Sequence, residues 1–475
     1  MPLPSPLPVA VIGAGPVGLA AAAHLIARGL PVVVYEAGET AGANVRDWGH
    51  VRLFSPWGYD VDAAARTLLE RHGWKAPCAD GFPTGAELYA RYLKPLAETP
   101  EIASVLETRT RVVAIGRQGA DKMSSRDRAT KPFTLRLQGP DGRTRRELAR
   151  AVIDASGTWT NPNPLGAGGL PADGEAELAD RIAYGAPDVR GRDRALYAGR
   201  SVLVVGAGHS AANVILDLMR LADEAPGTAV TWVTRGSNLT RVYGGGQADG
   251  LPARGELGAS LRALVEEGRL RLEAGFSAQA VRAAGDGVAL VGDTAEGERE
   301  IGPADRIVVA TGQRPDLALT RELRLELDPW IESAKALGPL IDPNLHSCGS
   351  VKPHGHRALA HPEPGFYTLG IKSYGRAPTF LMLTGYEQAR SVAAALAGDL
   401  AAADRVHLVL PETGVCSSVP GGAAAGDAAP ECCGGPAPAE ADACCAADAA
   451  AKAASGRGCG CGTSRTAPAR VPEPA

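Results

Sequence analysis

The sequence predicts an α/β chain in which one doubly wound unit is inserted into another, followed by a low-complexity tail. Three observations carry that expectation. Two stretches share one design, a short apolar run, a glycine-rich turn and a helical segment: VAVIGAGPVGLAAAAHLIARGLPVVVYE from Val9 to Glu36, and RSVLVVGAGHSAANVILDLMRL from Arg200. From Pro411 the composition then shifts to Ala, Gly, Pro and Cys with almost no aromatics. Such a segment has too little large apolar surface to offset the entropy of ordering, so it is expected to be disordered when free.

In the first stretch, Val9 to Ile12 reads as a buried parallel strand. Gly13, Gly15 and Gly18 follow in G-x-G-x-x-G spacing, then a helix from Pro16 to Arg28 that Gly29 stops, then a strand from Pro31 to Tyr35 ending at Glu36. Gly13 lets the chain turn sharply, Gly15 lets a pyrophosphate approach the backbone, and Gly18 lets helix and strand pack closely. Free amides and the helix dipole hold the phosphates, and Glu36 is placed to accept hydrogen bonds from a ribose diol. This is the order of a Rossmann-like dinucleotide-binding unit.

Length and composition bound the rest. A chain of 475 residues has room for about three domains. It is 45% hydrophobic with a net charge of -4, and no basic stripe points to nucleic acid. The opening MPLPSPLP, a Pro-rich arm over 1–8, lacks the basic and apolar regions of a signal peptide. No apolar run approaches the ~20 residues of a membrane span. The expectation is a soluble, cytoplasmic protein with no nucleic-acid or membrane partner; the oligomeric state is left open. Of nine cysteines only Cys78 and Cys348 precede residue 400, so the body is not a disulfide scaffold.

After turn chemistry at Gly38 to Gly42 comes NVRDWGHVRLFSPWGYD, which gathers Trp48, Phe54, Trp57 and Tyr59 in a chain only 5% aromatic. These rings either line a flat pocket or pack a core. FPTGAELYARYLKPLAE reads as a helix with a capping box, Thr84 and Glu87. Thr108 to Ile115 is expected as a strand, and KPFTLRLQ with RTRRELAR as a β-hairpin running into a buried strand, Ala151 to Ala155. That strand exits at Ser156-Gly157, where backbone can lie against a cofactor. Asn161 to Pro171 is a Pro/Gly-rich crossover.

The second unit has a strand Ser201 to Val205, then Gly206, Gly208 and Ala211 in G-x-G-x-x-A spacing, with His209 and Ser210 at the helix start. Its second strand, Ala229 to Thr234, ends in Arg235 where the first unit has Glu36. A carboxylate would repel a 2′-phosphate, whereas a guanidinium pairs with it, and Arg241 stands near to help. The first unit is therefore expected to bind FAD and the second NADPH. A helix is expected over Ala259 to Gly268, and ADRIVVATGQRPD gives another strand that exits at Thr311-Gly312. Because this exit resembles Ala155 to Gly157, the chain is expected to return there to its first domain. The expected boundaries are a FAD-binding domain over 9–165, an inserted NADPH-binding domain over 196–303, the second part of the FAD-binding domain over 304–405, and the Cys-rich tail over 411–475. GFYTLG and the helix after Gly385 would be the last strand and helix of the returning domain.

Candidate FAD residues are Gly13, Gly15, Pro16, Val17, Gly18, Glu36, Ala37, Arg46, Val113, Ala155, Ser156, Gly157 and Gln388, with Ser55 in LFSPW as the side chain expected near the flavin. Candidate NADPH residues are Gly206, Gly208, His209, Ser210, Ala211, Arg235, Arg241, Thr311 and Gly312. No protein acid or base is strictly demanded, since an isoalloxazine carries the chemistry. His346, His354, His356 and His361 fit no common metal-ligand spacing. In the tail, Cys432 with Cys433, Cys444 with Cys445, and Cys459 with Cys461 form close thiol pairs. These suit a soft metal or metalloid such as arsenite, mercury or copper(I), or a dithiol that shuttles electrons, or they are incidental.

GAGPVG with Glu36, FPTGAELYARYL, GAGHSA, ATGQRPD and GYEQAR together resemble the two-dinucleotide-binding flavoproteins, particularly the flavin-containing (class B type) monooxygenases. YGAPDVRGRDRALYAGRSVLVVGAGHSAANVILDL and SYGRAPTFLMLTGYEQARSV are similar to the flavin monooxygenases of bacterial arsenic-resistance clusters. The resemblance spans about 9 to 400. It implies that FAD is reduced by NADPH and that O2 is used to oxygenate a soft nucleophile, with sulfur, nitrogen and arsenic species as the small-molecule substrates. The F-x-G-x-x-x-H signature of those monooxygenases is missing; RIAYGAPDVRGRDRALYAG stands in its place. The C-x-x-C of thioredoxin reductases is missing from the body as well. Two alternatives stay open: an NADPH-flavin reductase that delivers electrons through the C-terminal thiols to a disulfide, metal or metalloid, and a thiol-rich metalloid-binding protein with a vestigial flavin domain.

Overall fold

The computed structural model describes residues 7–244, 252–346, 351 and 353–408, without the side chains of Arg241 and Pro252. The chain divides into a compact unit, Met1–Ser418, and a second, Val419–Ala475, none of whose residues is described. The paired tail cysteines and Cys348 lie outside the described residues.

Two parallel five-stranded sheets organise the first unit. Strands β1 (Val9–Ile12), β2 (Val32–Tyr35) and β3 (Leu106–Glu107) build the first from its centre to one edge, and β7 (Ala151–Asp154) and β16 (Phe366–Thr368) build it to the other. β1 is buried along its whole length, as a strand covered on both faces must be. The helix Pro16–Ala27 covers one face and packs against the helix Met382–Leu396. Their small residues allow this: Ala20, Ala21, Ala22, Ala389, Val392 and Ala393 are all fully buried in one core.

The second sheet runs β11 (Arg271–Ala274), β10 (Ala229–Thr234), β9 (Ser201–Val205), β15 (Arg306–Val309) and β8 (Ile182–Tyr184). The helices His209–Glu224 and Pro252–Glu266 share one apolar cluster with it. Two antiparallel three-stranded sheets complete the unit: β4 (Arg111–Arg117), β5 (Phe133–Gln138) and β6 (Thr144–Ala149), and β12 (Ser277–Ala284), β13 (Gly287–Thr294) and β14 (Gly297–Ala304). The GPDG hairpin is where the sequence puts it, β5 pairing with β6 across Gln138 and Thr144.

The expected return to the first sheet at 304 needs correction. β15 pairs in parallel with β9 and β8, so it belongs to the second sheet, as does β8, which precedes the expected start at 196. The chain leaves the first sheet after β7 and re-enters it only at β16. The likeness of the two strand exits is real but has another cause. Each exit packs on its own glycine turn: a Cβ on Gly13 would meet the Ala155 carbonyl oxygen at 2.8 Å, and one on Gly206 the Ala310 carbonyl oxygen at 2.3 Å. Boundaries shift elsewhere too. The expected strand Thr108 to Ile115 is observed as Arg111–Arg117, and the expected helix Ala259 to Gly268 as Pro252–Glu266, which begins at a proline suited to a first turn. The capping box is present, Thr84 N–H donating to Glu87 Oε2 at 2.8 Å and Glu87 N–H to Thr84 Oγ1 at 3.2 Å.

Candidate functional site

A cavity of about 700 Å³ opens at the C-terminal ends of β1, β2 and β7. Ligands in open α/β sheets sit at that edge. Gly13, Gly15, Pro16, Val17, Glu36, Ala37, Val113, Ala155, Ser156, Gly157 and Ser55 all line it. Gly13 holds φ +92°, which a side chain strains to adopt, and a Cβ on Gly18 would lie 1.9 Å from the Gly13 carbonyl oxygen. Gly18 therefore packs helix on strand without lining the cavity. Gly15 has nothing within 4 Å of where a Cβ would stand, and no side chain caps its helix. That combination leaves backbone and first-turn amides open to a phosphate.

Glu36 is held rigidly. Its Oε2 accepts the Ala14 N–H and its Oε1 the Gly38 N–H, both at 2.7 Å. A carboxylate has about four lone-pair sites, so acceptor capacity remains for a diol. The residues present thus fit an adenine dinucleotide: an open cradle, an oriented acid and a cavity of matching size.

Besides Gly18, two candidates fall outside the cavity, Arg46 and Gln388. Arg46 lies over the Tyr89 ring and donates to Thr40 Oγ1. Gln388 is fully buried; its Oε1 accepts the Gly370 N–H at 2.9 Å and its amide donates to Ser373 Oγ at 2.9 Å and meets His354 Nε2 at 2.9 Å. It shapes the wall from behind by holding Gly370, which does line the cavity. The helix expected after Gly385 begins at Met382, and Phe380, Leu381 and Met382 bring its N-terminus to the cavity. The aromatic cluster divides: Trp48 and Phe54 line the cavity, whereas Trp57 is buried in the core.

One polar group in the wall has no local sequence signal. Lys372 is 3% exposed, and its Nζ lies 2.7 Å from Asp154 Oδ2 and 3.0 Å from Ser156 Oγ. Ser156 Oγ donates in turn to Asp154 Oδ1 at 2.7 Å. A buried lysine requires such a counter-charge. The only hint in the sequence is a cation inside the apolar stretch YTLGIKSYG and an acid ending the strand AVID.

A second, smaller cavity of about 360 Å³ adjoins the first; Trp48, Leu53, Phe54, Trp159 and Gln313 line both. His209, Ser210 and Gly312 also line it, and Phe54 and His209 meet there with ring centroids 4.9 Å apart. Gly206 and Gly208 lie outside both cavities. Gly208 is exposed, with nothing within 4 Å of an added Cβ, while Ala211 is fully buried under its helix. Arg235 is exposed and donates to the Ala167 carbonyl at 2.7 Å. Arg241 falls on the helix Thr240–Tyr243, its side chain outside the described part. Thr311 does not line the cavity; its Oγ1 donates to the Asn163 carbonyl at 3.2 Å and its own carbonyl accepts from Asn163 Nδ2 at 3.0 Å, tying the two crossing segments between the sheets.

Among the described residues, no group of three or more His, Cys, Asp or Glu is placed to hold a metal ion. His356 meets Asp404 at 2.9 Å, His346 the Pro339 carbonyl at 2.9 Å, and the imidazole of His361, its pKa lowered by burial, the Glu326 amide. Among the described residues no helix is long and apolar enough to cross a membrane.

Comparison with known proteins agrees with this geometry. The family model for pyridine nucleotide-disulphide oxidoreductases matches residues 7–361. No curated protein matches the chain by sequence. Among solved structures, the bacillithiol disulfide reductase of Bacillus cereus is similar at 18% identity and a TM-score of 0.61, over 83% of this chain and 99% of that one. The cadaverine monooxygenase of Erwinia amylovora follows at 14% and 0.58, over 87% and 99%. A variant of the flavin monooxygenase from Stenotrophomonas maltophilia is similar at 22% and 0.52, over 83% and 99%.

Proposed function

The chain belongs to the pyridine nucleotide-disulphide oxidoreductase family, and from that premise we propose that it is an NADPH-dependent FAD monooxygenase acting on a soft nucleophile, a sulfur, nitrogen or arsenic species. Its cofactors are FAD and NAD(P)H, and it is an oxidoreductase. The finer reading concerns what happens to the electrons. In balance, NADPH, a proton, O2 and the substrate give NADP⁺, water and the oxygenated substrate.

One observation carries the choice of oxygenation over dithiol reduction. No described cysteine lines either cavity, and Cys78, the described one, is exposed. Apolar side chains close the junction instead: Trp48, Leu53, Phe54, Trp159 and Ile371. Bound there, FAD would supply hydride acceptance and oxygen activation. The protein's residues hold and screen it. Gly13, Gly15 and the helix amides take the pyrophosphate, Glu36 the adenosine ribose, and the apolar junction excludes water. On the other side Gly208 and the helix start at His209 take the second dinucleotide, with Arg235 turning from the Ala167 carbonyl to a 2′-phosphate. The tail's thiol pairs would then capture thiophilic substrate for the site, in a cytoplasmic enzyme.

The deciding experiment uses the full chain with NADPH, isotopically labelled dioxygen and, in parallel, a thioether, an amine and arsenite. Label in the product supports the monooxygenase. NADPH-dependent thiol release from a disulfide without oxygen, abolished by removing residues after 408, would replace this reading with the reductase.

A further inference from the structure

Behind the cavity wall stands a carboxyl that the reaction above leaves unused. Asp60 ends the short helix Trp57–Asp60 and is fully buried. Its Oδ1 lies 2.7 Å from Ser55 Oγ, and its Oδ2 is buried with no hydrogen-bond partner. Ser55, five residues earlier, lines the larger cavity.

From the helix Met382–Leu396, the Tyr386 hydroxyl donates to the Asp60 backbone carbonyl at 2.8 Å. From the turn Tyr89–Leu93, the Tyr92 hydroxyl accepts the Asp62 N–H at 3.2 Å, and Arg91 lies over the Trp57 ring. Asp62 itself caps the next helix through Ala65 N–H and faces His24 at 3.0 Å. Among the described residues none of these provides Asp60 with a cation.

The consequence follows from solvation. An ionised Asp60 would be a buried charge with a single donor, an arrangement proteins avoid by keeping the proton. Burial pushes its carboxyl up to about 8. With the proton on Oδ1, the carboxyl donates to Ser55 Oγ, and the Ser55 hydrogen is released to turn into the cavity.

We propose that Ser55 and Asp60 form a proton-donating dyad at the FAD cavity, Ser55 touching the occupant and Asp60 positioning it and holding the reserve proton. In the step, Ser55 passes its hydroxyl proton to a basic atom in the cavity, and Asp60 passes its own to Ser55 Oγ. The products are a protonated acceptor, an unchanged serine and an Asp60 carboxylate. Cavity water returns the proton by the reverse route. The inference rests on the proposed oxygenation, whose balance consumes one proton per turn.

The test compares the full-length, FAD-loaded protein with Asp60→Asn, Ser55→Ala and Ser55→Thr. Infrared spectra across neutral pH should show a carboxylic-acid carbonyl band that disappears on raising the pH and is missing in Asp60→Asn. Turnover should fall about 100-fold in Ser55→Ala, the usual scale for a lost general acid, and stay within a few-fold in Ser55→Thr, which keeps the hydroxyl. Asp60→Asn should lose the alkaline limb of the rate profile while retaining FAD. FAD retained without an Asp60 carbonyl band, or equal losses in Ser55→Ala and Ser55→Thr, would overturn the dyad and leave the cofactor assignment standing. Wild-type protein without FAD would overturn the cofactor assignment, and the infrared band, which needs no flavin, would still decide the state of Asp60.

Discussion

Replacing Asp60 by asparagine should stabilise the protein as the pH rises. The raised carboxyl pKa is a stability statement. In the unfolded chain Asp60 titrates at its ordinary 3.8, whereas in the fold burial holds it at about 8. Below pH 4 both states carry the proton and nothing is lost. Between about 4 and 8 the unfolded state has released its proton while the native state keeps it, so native stability declines with rising pH by about 1.4 kcal/mol per unit. The full penalty, reached near pH 8, is on the order of 5 kcal/mol as a ceiling. Asparagine has no such penalty. Its amide keeps a donor for Ser55 Oγ, as the neutral carboxyl does, but buries its second N–H without an acceptor, a fixed cost of about 1–3 kcal/mol. The variant should therefore be no more stable than wild type near pH 5 and overtake it toward pH 8, the difference growing by roughly 3 kcal/mol between pH 5 and 7. Urea midpoints at several pH values, at saturating FAD, measure this. A difference that stays flat, or shrinks as the pH rises, would refute a neutral Asp60 in the fold.

Three further outcomes follow from the site. Gly15→Asp places a carboxylate where nothing lies within 4 Å of the new Cβ, so the protein should fold yet lose FAD at least 100-fold, read from the flavin-to-protein absorbance ratio; full FAD content would sink the first-site assignment. Arg235→Ala should raise KM for NADPH about 10–100-fold and leave NADH unchanged, a split that a merely structural arginine would not produce. Lys372→Met leaves Asp154 buried without its counter-charge 2.7 Å away and should cost about 3–5 kcal/mol in denaturant midpoint, most of it recovered by adding Asp154→Leu.

These tests divide by how far apart their residues lie in sequence. The glycine turns, Glu36 and the Thr84–Glu87 box are legible because their partners stand on the same strand-turn-helix unit; a capping pair spans three residues and a phosphate cradle one turn. Arg46 and Gln388 do not line the cavity, because proximity in sequence, or on a helix facing the cavity, does not reveal which way a side chain points. The Lys372–Asp154 pair joins residues 218 apart, and Asp60 is covered by the helix that brings Tyr386, 326 residues on, to its backbone carbonyl.

The sequence by itself determined two dinucleotide units, their glycine turns and the acid-to-arginine exchange between them. These are local patterns in which strand, turn and helix are each specified by neighbouring residues. Only the tertiary structure decided to which sheet β15 belongs, since two apolar strands with the same exit are interchangeable until one hydrogen-bonds to β9. It also decided which polar side chains are deprived of water. Burial is a property of what packs around a residue, and for Asp60 and Lys372 that packing comes from chain more than two hundred residues away.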